Sequence, residues 1–205
     1  MRQRLVIAAL IICAIVLAAV FLVRTGVANV IGSGQAFAEK TAASTLRTLH
    51  WAQGNLRRGA YVDEDRDGVG EFGSMEQLAA IAPLPSGELL PAALVPTAGT
   101  RIHDGILETG GYCYRYDLPA GADARERRFV AYGWPMVAAA GHKAYCINQD
   151  EDILESQNAE GWVGCDNGPP PGSCPVAAEA GAPGSGAAWV RWRGKTSQLR
   201  VGAAD

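Results

Sequence analysis

Nineteen consecutive residues near the N-terminus, Leu5–Val23, include no charged residue, no glycine and no proline. A helix needs about 20 apolar residues to cross the hydrocarbon core of a bilayer, so this run is long enough to span a membrane. Arg2 and Arg4 precede the run and Arg24 follows it. The excess of positive charge before the run predicts that the N-terminus stays in the cytoplasm. We therefore expect residues 1–24 to form a transmembrane anchor, with the rest of the chain outside the cytoplasm.

A cleaved signal peptide is the alternative interpretation of this run. Ala36-Phe37-Ala38 has the small-x-small pattern of a cleavage site. The apolar run, however, exceeds the 7–15 residues usual for the apolar region of a signal peptide, and the candidate site lies far beyond its end. A retained anchor therefore agrees better with the sequence.

Charge and motif content argue against two classes of protein. The formal net charge is −3, so the chain has no surplus of basic residues with which to displace the counterions of nucleic acid. The sequence contains no H-E-x-x-H, G-x-S-x-G or P-loop motif. The three histidines, His50, His103 and His142, are expected to be surface or packing residues. We therefore expect no nucleic-acid partner, and an enzyme is the least expected class.

An amphipathic helix is predicted to follow the anchor. Small and apolar residues recur at steps of three and four, which places them on one helical face: Ala38, Ala42, Leu46, Leu49, Ala52 and Leu56. Gly59 is expected to end this helix, so residues 25–58 are predicted to extend the helix of the anchor. Farther along, Ser74 and Gln77 have the spacing of a capping box, which predicts a short helix over 74–81.

The hydrophobic period then changes from 3.6 to 2. Residues 112–118, 129–134 and 143–148 read as three strands, and residues 188–193 as one more short strand. Short polar or glycine-containing connections favour an antiparallel meander. Residues 86–109 are predicted to be a long loop. The predicted fold class is α+β, with a long N-terminal helix packed on a small antiparallel meander in residues 59–160, followed by a Pro/Gly-rich loop and C-terminal strand in 161–205.

Four cysteines lie outside the apolar run, and an even number in an exported chain indicates two disulfides. Cys165 and Cys174 close the shortest loop, so their pairing is the expected one. Cys113 and Cys146 are then left to pair. In a meander these two would lie on strands about 9.6 Å apart, too far for a disulfide unless the strand order differs. The sequence leaves this conflict open.

An acidic segment follows the amphipathic helix. Asp63, Asp65 and Asp67 precede Gly68 in the D-x-D-x-D-G pattern that begins an EF-hand-type calcium loop. Glu71 lies where the ninth ligand would be, whereas Ser74 replaces the bidentate glutamate at position twelve. These residues predict a weak calcium site formed by Asp63, Asp65, Asp67 and Glu71. A solvated acidic turn is the alternative.

Taken in order, these segments resemble the type IV pilin and type II secretion pseudopilin superfamily. The resemblance rests on five segments: 45–63 (TLRTLHWAQGNLRRGAYVD), 70–79 (GEFGSMEQLA), 111–116 (GYCYRY), 129–135 (FVAYGWP) and 142–154 (HKAYCINQDEDIL). The apolar run departs from the family pattern, because it has neither the Gly-Phe site of the prepilin peptidase nor an acidic residue five positions into the mature helix.

The resemblance implies a non-enzymatic, membrane-anchored structural or assembly protein of the cell envelope. Its partners would be the membrane and related pilin-like subunits, which it would contact through the N-terminal helix. The alternative is a membrane-tethered, extracytoplasmic binding module that presents its sheet and loops to an external ligand. No cofactor other than calcium is expected.

Overall fold

The computed structural model describes residues 34–175 and 189–192. The predicted anchor, the start of its helical extension, and residues 176–188 and 193–205 lie outside the described residues. The helices are α1 (34–58), α2 (Met75–Leu78) and α3 (Ala122–Arg127). The strands are β1 (Arg101–His103), β2 (Ile106–Thr109), β3 (Tyr112–Asp117), β4 (Val130–Pro135), β5 (Ala144–Asn148), β6 (Ile153–Ser156) and β7 (Trp189–Arg191).

The predicted fold class, a long helix on a small meander, is wrong. The seven strands form one antiparallel sheet in the order of the sequence, β1 to β7, so the fold is mostly β. α1 has 25 residues. Within residues 34–175 and 189–192, no helix is both long enough and apolar enough to cross a membrane. The prediction counted too few strands because β1, β2 and β6 have only three or four residues each, too few for a clear alternation.

The segment 86–109, predicted to be a loop, contains the first hairpin of the sheet. β1 and β2 pair in antiparallel register, with His103 opposite Ile106. Between them Asp104 and Gly105 both have positive φ, 49° and 76°. An Asp-Gly pair in this conformation is the preferred two-residue hairpin turn, so the sequence did contain a signal for this hairpin.

α1 packs across one face of the sheet, as its apolar stripe predicts. Ala42, Leu46, Leu49, Ala52 and Leu56 are fully buried, and Ala38 is partly buried. The facing residues of the sheet include Tyr112, Tyr114 and Tyr116 of β3, as the period of two predicted. The Tyr116 hydroxyl donates a hydrogen bond to the carbonyl oxygen of Leu49 at 2.9 Å, which fixes α1 against the sheet.

The short helix after the acidic segment is confirmed, together with its cap. Ser74 is the N-cap of α2, and both hydrogen bonds of the capping box to Gln77 are present. The helix ends at Leu78 rather than at residue 81. Its buried residues, Met75 and Leu78, join the core under α1.

Residues 161–175 cover the other face of the sheet through two disulfides. The expected pairings, Cys165 with Cys174 and Cys113 with Cys146, are wrong. Cys113 pairs with Cys165 and Cys146 pairs with Cys174, with Cα–Cα distances of 5.4 and 6.2 Å. The reason is the strand order: β4 separates β3 from β5, so each strand cysteine bonds to the segment that crosses above it.

The covering segment is also fixed by aromatic residues. The Trp134 indole donates to the carbonyl oxygen of Gly164 at 2.7 Å. The rings of Trp162 and Trp189 stack at 5.9 Å. The Tyr132 hydroxyl accepts the backbone N–H of Cys174 at 3.1 Å. The sheet therefore has a core on each face, and its two disulfides indicate an oxidising, extracytoplasmic environment.

Candidate functional site

The acidic segment forms a compact turn directly after α1. One carboxylate oxygen from each of Asp63, Asp65 and Asp67 lies within 4.8 Å of the other two. Backbone N–H groups hold the turn: Gly68 donates to Asp63 Oδ2 at 3.2 Å and Val69 donates to Asp67 Oδ1 at 2.7 Å. The structure therefore brings together three of the four residues predicted to bind calcium.

Glu71, the fourth predicted ligand, is not part of this group. Its side chain is fully buried, and both carboxylate oxygens accept the backbone N–H of Glu64, at 2.9 and 3.0 Å. Burial raises the pKa of Glu71 above its ordinary value of 4.5, although the hydrogen bond from Glu64 opposes this shift. Glu71 closes the base of the turn and is not among the carboxylates grouped with the three aspartates.

The helix α3 supplies two carboxylates that the sequence did not predict. Asp123 and Glu126 form a second group of three with Asp65, whose oxygens also lie within 4.8 Å of one another. Burial raises the pKa of Glu126, and the charges of Asp67, Asp65 and Asp123 raise it further. Because α3 is distant in sequence from the turn, no local pattern indicates this contribution.

An ion pair holds α3 against the turn. Arg125 binds the Glu64 carboxylate through both terminal guanidinium nitrogens, with Nη1 2.8 Å from Oε1. The carbonyl oxygen of Arg125 accepts the backbone N–H of Phe72 at 3.1 Å. The hydrogen bond and charge of Arg125 lower the pKa of Glu64. We define the acidic cluster as Asp63, Asp65, Asp67, Asp123 and Glu126. The turn and α3 both contribute to it, and the Arg125–Glu64 ion pair holds these two segments together.

The acidic cluster has the donor chemistry that a hard cation prefers. Calcium binds six to eight oxygen ligands at 2.3–2.6 Å in flexible geometry. Asp63 Oδ1 and Glu126 Oε1 are buried and accept no hydrogen bond from the described part of the chain. Two carboxylate oxygens are therefore shielded from solvent and have no donor within residues 34–175 and 189–192. Asp65 is common to both groups of three.

A groove of about 550 Å³ lies at the C-terminal end of α1. Phe72 and Phe129, whose ring centroids are 4.6 Å apart, form part of its lining. The Arg57 guanidinium carbon lies 5.4 Å from the Phe72 ring centroid, within the range of a cation–π contact. His50 lines the groove, and its Nε2 is 3.1 Å from the carbonyl oxygen of Gln149. The groove combines an aromatic wall with cationic side chains.

No protein-family model, no curated protein and no solved structure matches this chain.

Proposed function

We propose that the protein is a membrane-anchored, non-enzymatic assembly subunit of the cell envelope, similar in role to a pilin or pseudopilin. In this proposal Leu5–Val23 spans the membrane once with the N-terminus in the cytoplasm, and the folded domain lies outside. The run supports the anchor because it has no charged residue and is long enough to cross the bilayer as a helix. The two disulfides support the outer location, because they persist in oxidising compartments.

The outward face of α1 is the observation that carries the proposal. One face of the helix is fully buried in the domain, whereas the opposite face leaves Trp51 59% exposed. Tryptophan is enriched among the residues that contribute most to protein–protein binding, because it buries a large apolar area. Lys40 and Ser44 are exposed on this same face, and Arg47, also exposed, lies over the Trp192 ring at 4.8 Å. We propose that this face contacts related subunits.

The proposal is tested by removing Trp51 from the full chain. Trp51→Ala is expected to reduce the multimers that a lysine-reactive cross-linker captures in the membrane. Its thermal melting temperature is expected to stay close to that of the wild type, since the side chain lies outside the core. Ile81→Ala is the matched control, because Ile81 is similarly exposed, at 57%, and is not a residue of α1.

Electron microscopy of sheared surface material then identifies the kind of assembly. Filaments that contain the protein support a pilin-like role. A chain that remains monomeric in the membrane, with equal cross-linking for wild type and Trp51→Ala, contradicts the assembly proposal.

The groove favours a second candidate function, a membrane-tethered binding module. An aromatic anion in the groove would pair with Arg57, whose guanidinium group already lies over the buried Phe72 ring. Benzoate is a suitable probe, and its titration into the full chain in micelles is expected to shift the amide resonances of Gly54 and Gly70, which line the groove. Arg57→Gln should weaken these shifts. Arg101→Gln is the control, because Arg101 pairs with Glu108 outside the groove. Shifts that are equal in both variants, or absent, exclude this use of the groove.

We also propose that the acidic cluster binds a calcium ion, with Asp65 as the central ligand. The support is the convergence of two carboxylate groups on Asp65, together with two buried oxygens that have no hydrogen-bond donor among the described residues. An ion there would join the turn to α3 and so fix the chain where it leaves α1.

A further inference from the structure

One end of the sheet contacts the N-terminal part of α1, and the opposite end contacts its C-terminal part. At one end, the His142 backbone N–H donates to Glu39 of α1 at 3.1 Å. A Cβ on Gly110 at this end would approach the Thr41 methyl group to 3.4 Å. We call this the tether end, and it comprises residues 35–41, the β2–β3 turn at 110–111 and the β4–β5 loop 136–143.

The opposite end carries the C-terminal turns of α1 and the acidic cluster. His50 contacts Gln149 of the β5–β6 turn there. α3, which supplies Asp123 and Glu126, connects β3 to β4 at the same end. α1 spans about 37 Å between the two ends at 1.5 Å per residue. The carboxylates of the acidic cluster are therefore concentrated at the end remote from the tether end.

The tether end exposes apolar side chains from two segments that are distant in sequence. Phe37, in the first turn of α1, is 72% exposed, and Val137 of the β4–β5 loop is 56% exposed. Ala138 and Ala139 beside Val137 are exposed as well. A single exposed apolar residue needs no explanation. Here an aromatic ring and an apolar loop are exposed at the same end of the domain.

The length of the chain before α1 indicates what covers this end. The apolar run ends at Val23 and the described part of α1 begins at residue 34, so ten residues separate them. Ten residues reach at most about 35 Å when fully extended. If the apolar run is in the bilayer, the tether end is the part of the domain that this short connection holds beside the membrane.

We propose that the tether end lies on the bilayer surface, with Phe37 and Val137 inserted among the lipid headgroups and the acidic cluster directed away from the membrane. Apolar side chains buried at the headgroup boundary are the usual means by which a domain lies on a membrane. This inference rests on the membrane anchor of the proposed function. It adds that the folded domain itself touches the lipid.

Photo-cross-linking of the full chain tests this contact. p-Benzoylphenylalanine is placed at position 37, 137 or 69 in chain reconstituted into phosphatidylcholine vesicles, and lipid adducts are measured by mass spectrometry. Val69 is the matched control, because it is 41% exposed but follows the aspartates of the acidic turn at the remote end. Lipid adducts are expected at positions 37 and 137, with none above background at 69.

Alkaline carbonate extraction of the same vesicles separates the failure of the anchor from the failure of the contact. A chain that stays with the vesicles, but gives no lipid adduct at 37 and 137, or equal adducts at all three positions, overturns the contact and leaves the anchor standing. Adducts between two copies of the chain at 37 or 137 also overturn it. A chain released by carbonate contradicts the anchor, and the lipid contact with it.

Discussion

The buried carboxylate of Glu71 accepts the backbone N–H of Glu64 with both of its oxygens, at 2.9 and 3.0 Å. This contact joins the segments that precede and follow the acidic turn. A second hydrogen bond, from the Glu71 backbone N–H to the carbonyl oxygen of Val62 at 2.8 Å, joins the same segments. Glu71 therefore has a structural role, although its position in the sequence suggested a calcium ligand.

The first prediction concerns the loss of this carboxylate. Glu71→Ala leaves the Glu64 N–H without its acceptor and should lower the free energy of unfolding by about 1–3 kcal/mol. Glu71→Gln keeps one acceptor oxygen and should cost less. Denaturant unfolding at neutral pH measures both variants, and equal stability of Glu71→Ala and the wild type would contradict the structural role.

The second prediction is a dependence of stability on pH through Glu64. Because Arg125 lowers the folded pKa of Glu64 below 4.5, the unfolded chain takes up this proton first on acidification. The contribution of the pair is therefore complete above pH 4.5 and is lost as the pH falls through the folded pKa. Wild type should lose more stability than Glu64→Gln between neutral pH and a pH below 4.5. The difference should be small, about 0–1 kcal/mol, because the pair is partly exposed.

Glu71 should make stability depend on pH in the opposite direction from Glu64. Its folded pKa is raised, so the folded chain takes up this proton first as the pH falls toward 4.5. The free energy of unfolding therefore rises as the pH falls through the folded pKa of Glu71 toward 4.5. This gain is lost when the pH rises through the folded pKa. Glu71→Gln should remove this gain, whereas Glu64→Gln should leave it. Unfolding curves at neutral pH and just above pH 4.5 distinguish the two variants.

The sequence predicted those elements whose pattern is local. The stripe of α1 from Ala42 to Leu56 and the capping box at Ser74 each lie within a few turns of one helix, and both are confirmed. Strands β3, β4 and β5 have five or six residues, enough for their aromatic and aliphatic residues to indicate a strand. The short hairpin β1–β2 has no such pattern, and only its Asp104-Gly105 turn indicated it.

Contacts between distant segments could not be predicted in the same way. The distance between Cys113 and Cys146 followed from the meander, but the partner of each cysteine depends on how residues 161–175 cross the sheet. Likewise, Asp123 and Glu126 reach the acidic turn only because Arg125 docks α3 on Glu64. Neither arrangement leaves a periodic signal in the sequence.

The third prediction is that both disulfides contribute strongly to stability. They close loops with sequence separations of 52 and 28 residues. The entropy of closing such loops in the unfolded chain corresponds to about 4 and 3.5 kcal/mol, respectively. Replacing both Cys113 and Cys165 by alanine, or both Cys146 and Cys174, should lower the free energy of unfolding by amounts of this order.

Peptide mapping without reductant checks the connectivity itself. It should recover Cys113 linked to Cys165 and Cys146 linked to Cys174 from the exported chain. A peptide in which Cys165 is linked to Cys174 would contradict the arrangement in which residues 161–175 cover the sheet.

The fourth prediction concerns calcium at the acidic cluster. A site with a dissociation constant near 1 mM, which is typical of extracellular modules, would stabilise the folded chain by about 1.4 kcal/mol at a tenfold excess of calcium. The thermal melting temperature should therefore be higher in about 10 mM calcium than in chelator. Asp65→Asn should abolish this shift, because Asp65 belongs to both groups of carboxylates. Asp104→Asn should keep it, because Asp104 is 98% exposed and belongs to neither group.

Glu71→Gln provides the sharper comparison for the same site. The sequence pattern places Glu71 among the calcium ligands, whereas its carboxylate is occupied by the Glu64 N–H. Calcium should therefore raise the melting temperature of Glu71→Gln as much as that of the wild type, even if the starting temperatures differ. Glu126→Gln, which the sequence pattern does not include, should reduce the shift because its carboxylate joins Asp65 and Asp123. The opposite result would be that calcium raises the melting temperature of Glu126→Gln as much as that of the wild type and leaves that of Glu71→Gln unchanged. In that case the EF-hand residues bind the ion and the two-segment cluster does not.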